Sequence, residues 1–148
     1  MEIKRIFGNC LWAIKYNDEG EKEKEKPDEF KRLFDLWQDI EYLEQFFEDN
    51  KQDLQSGFYG EKSVEDAVRE TRNEAKWLEK RMMELSHLNY EGQIKGLDEL
   101  FEPLDNNQYR IVELSKSKAY GNRHKSWLRV YAIKVDLNVY VVTGGQLN

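Results

Sequence analysis

The chain has almost no cysteine and no long apolar segment, and each absence excludes a class of protein. Cys10 is the single cysteine among 148 residues, which excludes an intramolecular disulfide and favours the cytoplasm. No run approaches the roughly 20 apolar residues of a membrane span, and the first residues lack the apolar core and cleavage site of a secretion signal. We therefore expect a cytoplasmic protein without a membrane partner, with Cys10 buried as a structural thiol.

Residues that hold metals and cofactors are also scarce. The chain has two histidines, His87 and His124, far apart in the sequence, and neither a CxxC nor an HExxH motif, which disfavours a metal site. No glycine-rich phosphate loop follows a strand, since the Gly144-Gly145 pair ends one. We expect a protein that uses neither a metal nor a cofactor.

Acidic residues are nearly absent from one part of the chain, residues 106–134, which we call the basic segment. It holds seven Lys or Arg residues and one acid, Glu113, whereas residues 1–105 hold 16 basic and 27 acidic residues. A basic surface attracts polyanions, because phosphate contacts supply most nucleic-acid affinity. The acidic remainder repels them, so the sequence predicts a small site for RNA or another anion.

The first two thirds of the chain predict strands followed by two helices. Apolar runs over residues 2–16, split by Gly8-Asn9, indicate a strand or short hairpin. From residue 27 to about residue 50, apolar residues at three- and four-residue steps predict one amphipathic helix: Phe30, Leu33, Trp37, Ile40 and Phe47. A second helix begins at Ser63, which caps it, and its apolar seam consists of Val64, Val68, Thr71, Ala75, Leu78, Met82 and Leu85. We expect these helices to form a long antiparallel hairpin over residues 28–88, although the seam also suits an intermolecular coiled coil.

The last third predicts a sheet. After a short helical turn at 97–101, the hydrophobic period becomes two, with strands at 109–114, 127–135 and 139–143. Asp136-Leu137-Asn138 forms a tight link between the last two strands. The expected fold is a single α+β domain over residues 1–148: strands at 1–16, the helical hairpin at 28–88 and a basic sheet at 97–143. The sheet should be antiparallel with about three to five strands and the hairpin on one face.

Alternation in the strand at 127–135 suggests a candidate site. It places Leu128, Val130 and Ala132 in the core, and the following residues on the other face: Trp127, Arg129, Tyr131 and Ile133. An arginine between two aromatic rings suits a stacked RNA base and its phosphate. The alternative, which periodicity alone favours, is that Arg129 packs along those rings and pairs with an acid from the helices or with Glu113.

The loop at 115–126 is the second candidate element. It interleaves Lys116, Lys118, Arg123 and Lys125 with Tyr120 and His124. Basic residues with aromatics between them hold flexible nucleic-acid strands, and His124 titrates in the range useful for a general acid or base. The alternative is a mobile surface loop whose charges aid solubility.

The carboxy-terminal third resembles a known family. The segments EPLD (102–105), YRIVELS (109–115), WLRVYAIK (127–134) and YVVT (140–143) are similar in order and spacing to the RelE/ParE-type toxin superfamily, closest to its phage-derived HigB-like branch. The match covers about residues 97–143. It implies a small α+β protein with a helical hairpin on an antiparallel sheet. Many members cleave mRNA on the ribosome, and a cognate antitoxin holds them inactive.

The resemblance also implies roles for individual residues. Arg129 falls on the arginine of the family's R-V-x-Y strand, which contributes to the RNA-binding and cleavage surface. Ser115 replaces the arginine of an E-L-R motif, a loss that Lys116 or Lys118 would offset. Cleavage through the RNA 2′-hydroxyl needs charge stabilisation at the phosphate and proton transfer at both oxygens. The catalytic candidates are Arg129, His124, Tyr120 and Tyr131, and the RNA-binding candidates are Arg110, Lys116, Lys118, Arg123, Lys125 and Trp127.

One departure from the family leaves two functions open. The family commonly ends with an aromatic residue and a Lys-Lys pair after the last strand, where this chain has GGQLN (144–148). Either the catalytic tail is missing from this chain or the activity has been lost. The expected function is a ribosome-dependent mRNA endoribonuclease. Its expected partners are ribosome-bound mRNA and a cognate antitoxin, and the sequence does not indicate an oligomeric state. The alternative is a catalytically inactive relative that binds a protein or RNA.

Overall fold

The computed structural model describes residues 1–16, 26–54, 62–88, 96–105, 108–111, 127–136 and 138–147, and the backbone alone at 87–88, 102–105 and 108–111. A 3₁₀ helix, Gly96–Glu99, precedes the third strand. The other elements follow in this order: β1 (Glu2–Phe7), β2 (Leu11–Lys15), α1 (Glu29–Leu36), α2 (Ile40–Asp49), α3 (Lys51–Leu54), α4 (Val64–Leu88), β3 (Phe101–Asp105), β4 (Gln108–Ile111), β5 (Leu128–Asp136) and β6 (Val139–Leu147).

The strands of the described ranges form one mixed sheet with the order β1-β2-β6-β5-β4-β3. All neighbours are antiparallel except β2 and β6, which run parallel with Leu11 opposite Tyr140 and Ala13 opposite Val142. The predicted α+β class is confirmed. The expectation of an antiparallel sheet of at most five strands is wrong, because β3 and β4 are separate strands and β2 joins the others in parallel. Parallel neighbours need a long crossover, and here every described helix lies between them in the chain.

Both predicted tight connections are formed. β1 and β2 pair as an antiparallel hairpin with Glu2 opposite Lys15, and Gly8 takes the left-handed conformation (φ 58°) that glycine adopts without strain. Asn138, in the link between β5 and β6, has φ 59°, a conformation that asparagine tolerates. Its buried side chain accepts a 3.0 Å hydrogen bond from the backbone N–H of Asp98, which ties the link to the 3₁₀ helix.

The predicted first helix is broken, so the expected hairpin of two long helices is not formed as such. α1 ends at Leu36 and α2 starts again after Asp39, whose carboxylate accepts from the backbone N–H of Tyr42 at 3.2 Å. The carbonyl of Gln38, released from the helix ladder, accepts from Arg72 Nε of α4 at 3.1 Å, which satisfies an acceptor that a helix end leaves open. The break also changes the helical phase, and Ile40 is 47% exposed instead of buried.

The second predicted helix is confirmed. α4 begins directly after Ser63, whose Oγ accepts from the backbone N–H of Asp66 at 3.0 Å. Its seam faces the core, since these members are all buried: Val68, Thr71, Ala75, Leu78, Met82 and Leu85.

We expect Ser63→Ala to lower the free energy of unfolding by about 1 kcal/mol, because it removes the acceptor at the N-terminus of a long helix. Ser63→Asp keeps an acceptor there and should retain the stability of the wild type. Urea titration followed by far-UV circular dichroism measures the difference. Equal losses in both variants would show that the cap does not contribute.

The core has two parts. The larger lies between α1, α4 and the helix-facing side of the sheet, and it contains Leu128, Val130 and Ala132 as predicted. Cys10 belongs to it and is 2% exposed, which confirms the expected buried thiol. The smaller part joins α2 to the other helices and the start of β5: Leu43, Phe47, Leu54, Ala67, Val68 and Trp127.

Three charged side chains meet where α1 lies beside α4. Lys31 Nζ is 3.0 Å from Asp35 Oδ2, and that hydrogen bond raises the pKa of Lys31. Burial, followed by the nearby Asp35 carboxylate, raises the pKa of Glu79 on α4, although Lys31 opposes the change. A carboxyl with a raised pKa binds protons more strongly in the folded state. Its contribution to stability is therefore present at low pH and is lost as pH rises through the folded pKa.

Glu79→Gln should accordingly raise the free energy of unfolding at pH 7, where the wild type keeps a charge that burial disfavours. The gain should shrink as pH falls below the ordinary pKa of a glutamate. Denaturant titrations at several pH values test this, with the exposed Glu44→Gln as control. A gain that does not depend on pH would refute the explanation.

Candidate functional site

Arg129 lies near the start of β5 and is 8% exposed. Its Nη1 donates a 2.9 Å hydrogen bond to the carbonyl of Leu128, and the β5–β6 register places Gln146 opposite it. A guanidinium carries five N–H donors and a fixed charge, so burial requires polar surroundings. The side chain is thus held against the sheet rather than extended into solvent.

Tyr131 is two residues further along β5, on the same face as Arg129 because side chains alternate along a strand. It is half-buried, and its hydroxyl accepts from Nε2 of Gln146 at 3.2 Å. The Tyr131 carbonyl accepts from Thr143 Oγ1 at 3.4 Å. Arg129, Tyr131 and Gln146 therefore form one polar group, which we call the Arg129 patch.

Arg110 is brought to this patch by strand pairing. The β4–β5 register places the Arg110 backbone opposite Tyr131. The backbone thus brings together three of the sequence-predicted residues, Arg110, Arg129 and Tyr131.

Trp127 does not join them, and the prediction that it shares an exposed face with Arg129 is wrong. It is 3% exposed, and its ring centroid lies 5.0 Å from that of Phe47 in a tilted contact. β5 begins at Leu128, so the alternation does not extend to residue 127, and the indole packs on α2. The bulk and hydrophobicity of tryptophan were the only sequence indication of this role.

The other predicted site residues belong to the chain between β4 and β5 and lie outside the described residues. These are Lys116, Lys118, Tyr120, Arg123, His124 and Lys125.

Lys134, also in the basic segment, is partly neutralised. Its Nζ lies 3.3 Å from Asp98 Oδ1, and the buried Tyr140 hydroxyl donates to the same oxygen at 2.5 Å. The Tyr140 ring stacks on Phe101 with centroids 4.3 Å apart. Sequence reasoning missed this cluster because its members are separated by about 40 residues and share no local pattern. The cluster ties the 3₁₀ helix to the β5–β6 hairpin. Arg129 is the other basic residue of the basic segment whose side chain the structure describes.

A second arginine is fixed at the amino end of α1. Arg32 donates to both carboxylate oxygens of Glu29, at 2.7 and 2.8 Å, and this hydrogen-bonded pair raises the pKa of Arg32. A Cβ at Gly144 would lie 3.8 Å from Glu29 Oε1, so the pair is next to β6. Because its charge is matched within the pair, it adds little to the attraction of an anion.

The Arg129 patch combines the guanidinium of Arg129, which is held against its strand, with the Tyr131 phenol and the Gln146 amide. Such a group can bind a phosphate through the guanidinium, and among its described side chains only the Tyr131 phenol can transfer a proton at all.

No protein-family model, curated protein or solved structure matches this chain. In the described ranges, no helix combines the length and the apolar character needed to cross a membrane.

Proposed function

We propose that this protein is a RelE/HigB-like toxin that acts on RNA as a ribosome-dependent mRNA endoribonuclease and is silenced by a cognate antitoxin. The observation that carries the proposal is the position of Arg129, held on the sheet beside Tyr131. It falls on the arginine of the family's R-V-x-Y strand, although this chain reads RVYA at 129–132. It belongs to the one segment of the chain whose charge attracts RNA.

The order of elements supports the proposal. The EPLD segment lies in β3, the RVYA segment (129–132), which aligns with the family's R-V-x-Y strand, lies in β5, and a tight link leads from there to the apolar β6. The helices run in the sense that a hairpin requires, because the Leu54 carbonyl accepts from the backbone N–H of Lys62 at 3.2 Å while Gln38 pairs with Arg72. Gln38, which precedes Leu54 in the chain, thus contacts a residue that follows Lys62, as in an antiparallel arrangement.

The burial of Arg129 suits a catalytic charge. A guanidinium that is already fixed needs no reorganisation when negative charge develops on a phosphate, and it acts more strongly at low dielectric. Its small exposed fraction means that the RNA phosphate reaches it at one edge, which agrees with a small site. In this mechanism Arg129 stabilises the charge and Tyr131 is a candidate for proton transfer from the 2′-hydroxyl.

Induction of the chain in a bacterial host tests the function. We expect growth arrest with cleaved transcripts for the wild type and relief for Arg129→Ala, since the charge at the phosphate is lost. Arg69→Ala is the matched control, because Arg69 is an exposed arginine on α4 paired with Asp66. Thermal unfolding of each purified variant separates loss of activity from loss of fold. Normal growth and intact mRNA with soluble, folded wild type would refute the proposal.

The second candidate is a non-enzymatic module that binds a protein or RNA. It is favoured by the hydrogen bond of Arg129 to its own strand and by Ser115, which stands where the family's E-L-R motif has an arginine. In that case the chain alone leaves mRNA intact. A stable protein partner in a pull-down, or RNA affinity that falls steeply with salt, would then distinguish the two forms of this candidate.

A further inference from the structure

β1 is the edge of the sheet, and its outer side has no neighbouring strand among the described residues. The opposite edge strand, β3, contains Pro103, which has no N–H to donate and is common where pairing is prevented. β1 contains no proline, and five of its six residues are exposed. The two edges of the described sheet therefore differ, because no residue of β1 lacks a backbone N–H.

Ile3 is the most exposed apolar residue within β1, at 59%. It lies opposite Ile14 of β2, which is 8% exposed. Leu11 and Ala13 face the helices within the core, so alternation places Ile14 and Ile3 on the other face of the sheet. The apolar pair Ile3 and Ile14 therefore lies on this face, with Ile3 at the open edge.

The charges of β1 favour pairing it with itself about Ile3 over the two following registers, about Lys4 and Arg5. When two copies of one strand pair antiparallel about a two-fold axis, the residue at the axis lies opposite its own copy. Odd-numbered residues then lie opposite odd-numbered ones, and even-numbered residues opposite even-numbered ones, because only alternate residues direct their backbone groups outward. With the axis at Ile3, Glu2 lies opposite Lys4 of the second copy, and Lys4 lies opposite its Glu2. With the axis at Lys4 or at Arg5, two like charges are directly opposed, which is destabilising.

The side chains needed for this register are accessible. Lys4 Nζ lies 3.9 Å from Glu2 Oε2 within one strand, and the two side chains are 47% and 53% exposed. In an antiparallel pair centred on Ile3, each would meet an opposite charge across the strands as well. Lys4 and Arg5 also discourage an arbitrary strand from adding at this edge, because edge lysines oppose unspecific pairing.

We propose that β1 is a homodimerisation edge, at which two copies of this chain pair antiparallel about Ile3 and extend the sheet across the dimer. The apolar contact is between the two Ile3 side chains on one face, and the two Glu2–Lys4 pairs lie on the other.

Sedimentation velocity over a range of protein concentrations tests the proposal with variants in which the charges at positions 2 and 4 are exchanged singly and together. The wild type is expected to form a dimer. Glu2→Lys presents two lysines and Lys4→Glu two glutamates to an identical copy, so each variant alone should dissociate with a constant raised about tenfold or more. The doubly exchanged E2K/K4E chain restores opposite charges and should dimerise again. An equimolar mixture of the two single variants should also dimerise, as a heterodimer.

Glu44→Lys and Lys51→Glu, at exposed positions of α2 and α3, control for the change of net charge and should leave the dimer intact. Circular dichroism of each variant controls for folding. A wild type that stays monomeric at hundreds of micromolar overturns the proposal. So does a dimer that the single exchanges do not weaken, or one that neither the double exchange nor the mixture restores.

Discussion

Replacement of Gly145 by alanine is expected to destabilise the protein by about 2–3 kcal/mol, at the upper end of the usual cost of overpacking. A Cβ at this position would lie 2.5 Å from the carbonyl oxygen of Arg129 and 2.9 Å from Cδ1 of Leu33. The first is a backbone atom of the neighbouring strand and the second belongs to a fully buried side chain of α1. Neither can yield without moving β5 or α1. Urea titration with a check of the m-value measures the loss.

Gly144→Ala is the matched control. Its Cβ would meet only Glu29 Oε1, at the ordinary contact distance of 3.8 Å, and Gly144 is not among the glycines with positive φ in the described ranges. Replacing such a glycine reduces the entropy of the unfolded chain, and we expect a change within about 1 kcal/mol, in the stabilising direction. Equal losses of stability at both positions would contradict the steric explanation, because they would show that any side chain in this part of β6 is unfavourable.

Replacement of Trp127 by alanine is expected to cost about 3–5 kcal/mol, the usual range for a buried tryptophan. The indole is 3% exposed and fills the smaller core against Phe47, with Leu43 and Val68 nearby. A tryptophan on an open face, available for stacking on a base, would cost a small fraction of this. Thermal and urea unfolding of the purified variant give the value.

Tyr131→Ala provides the comparison, since it removes an aromatic ring from the same strand at a half-buried position. We expect about 1 kcal/mol there. If the two variants lost equal stability, the assignment of Trp127 to the core would be wrong. The pair also separates stability from RNA recognition, because only Tyr131 belongs to the Arg129 patch.

The elements that could be predicted are those whose residues interact locally. The β1–β2 hairpin follows from two apolar runs around Gly8-Asn9, α4 from a seam that begins at the Ser63 cap, and the β5–β6 link from three turn-forming residues. In each case the residues that form the pattern lie within one element or one short connection of the chain. The burial of Leu128, Val130 and Ala132 follows from the same alternation.

The predictions of the fold are wrong where a local pattern is interrupted, or where contacts between residues distant in the sequence determine the structure. Asp39 caps a new helix inside an otherwise continuous periodicity, and its capping bond together with Arg72 from α4 outweighs continuation of α1. β6 extends through Gly144 and Gly145, and the missing side chain of Gly145 lets β5 and Leu33 come close. A glycine that indicates a strand end in the sequence therefore permits close packing within the strand. The parallel pairing of β2 with β6 joins residues more than 120 apart, and no window of the sequence contains both.

The candidate site could be predicted in part. Alternation and the R-V-x-Y resemblance identified Arg129 and Tyr131, and strand register brings Arg110 to them. The burial of Arg129 and the contact with Gln146 depend on β6 and its irregular pairing near Thr143. The pairing of Lys134 with Asp98 depends on the 3₁₀ helix, which comes from another part of the chain.

The position of β6 also has a consequence for the order in which this protein can fold. β6 lies between β2 and β5, yet it is synthesised after all the other described strands. The β1–β2 hairpin is synthesised more than 120 residues earlier, and until Tyr140 and Val142 emerge, Leu11 and Ala13 have no strand partner on their inner side. The centre of the sheet is therefore assembled only after β6 has been synthesised, and such long-range pairing makes folding slow. Until then the hairpin, which supplies two of the six described strands, exposes the apolar face of β2, and a transiently exposed apolar strand is prone to aggregation.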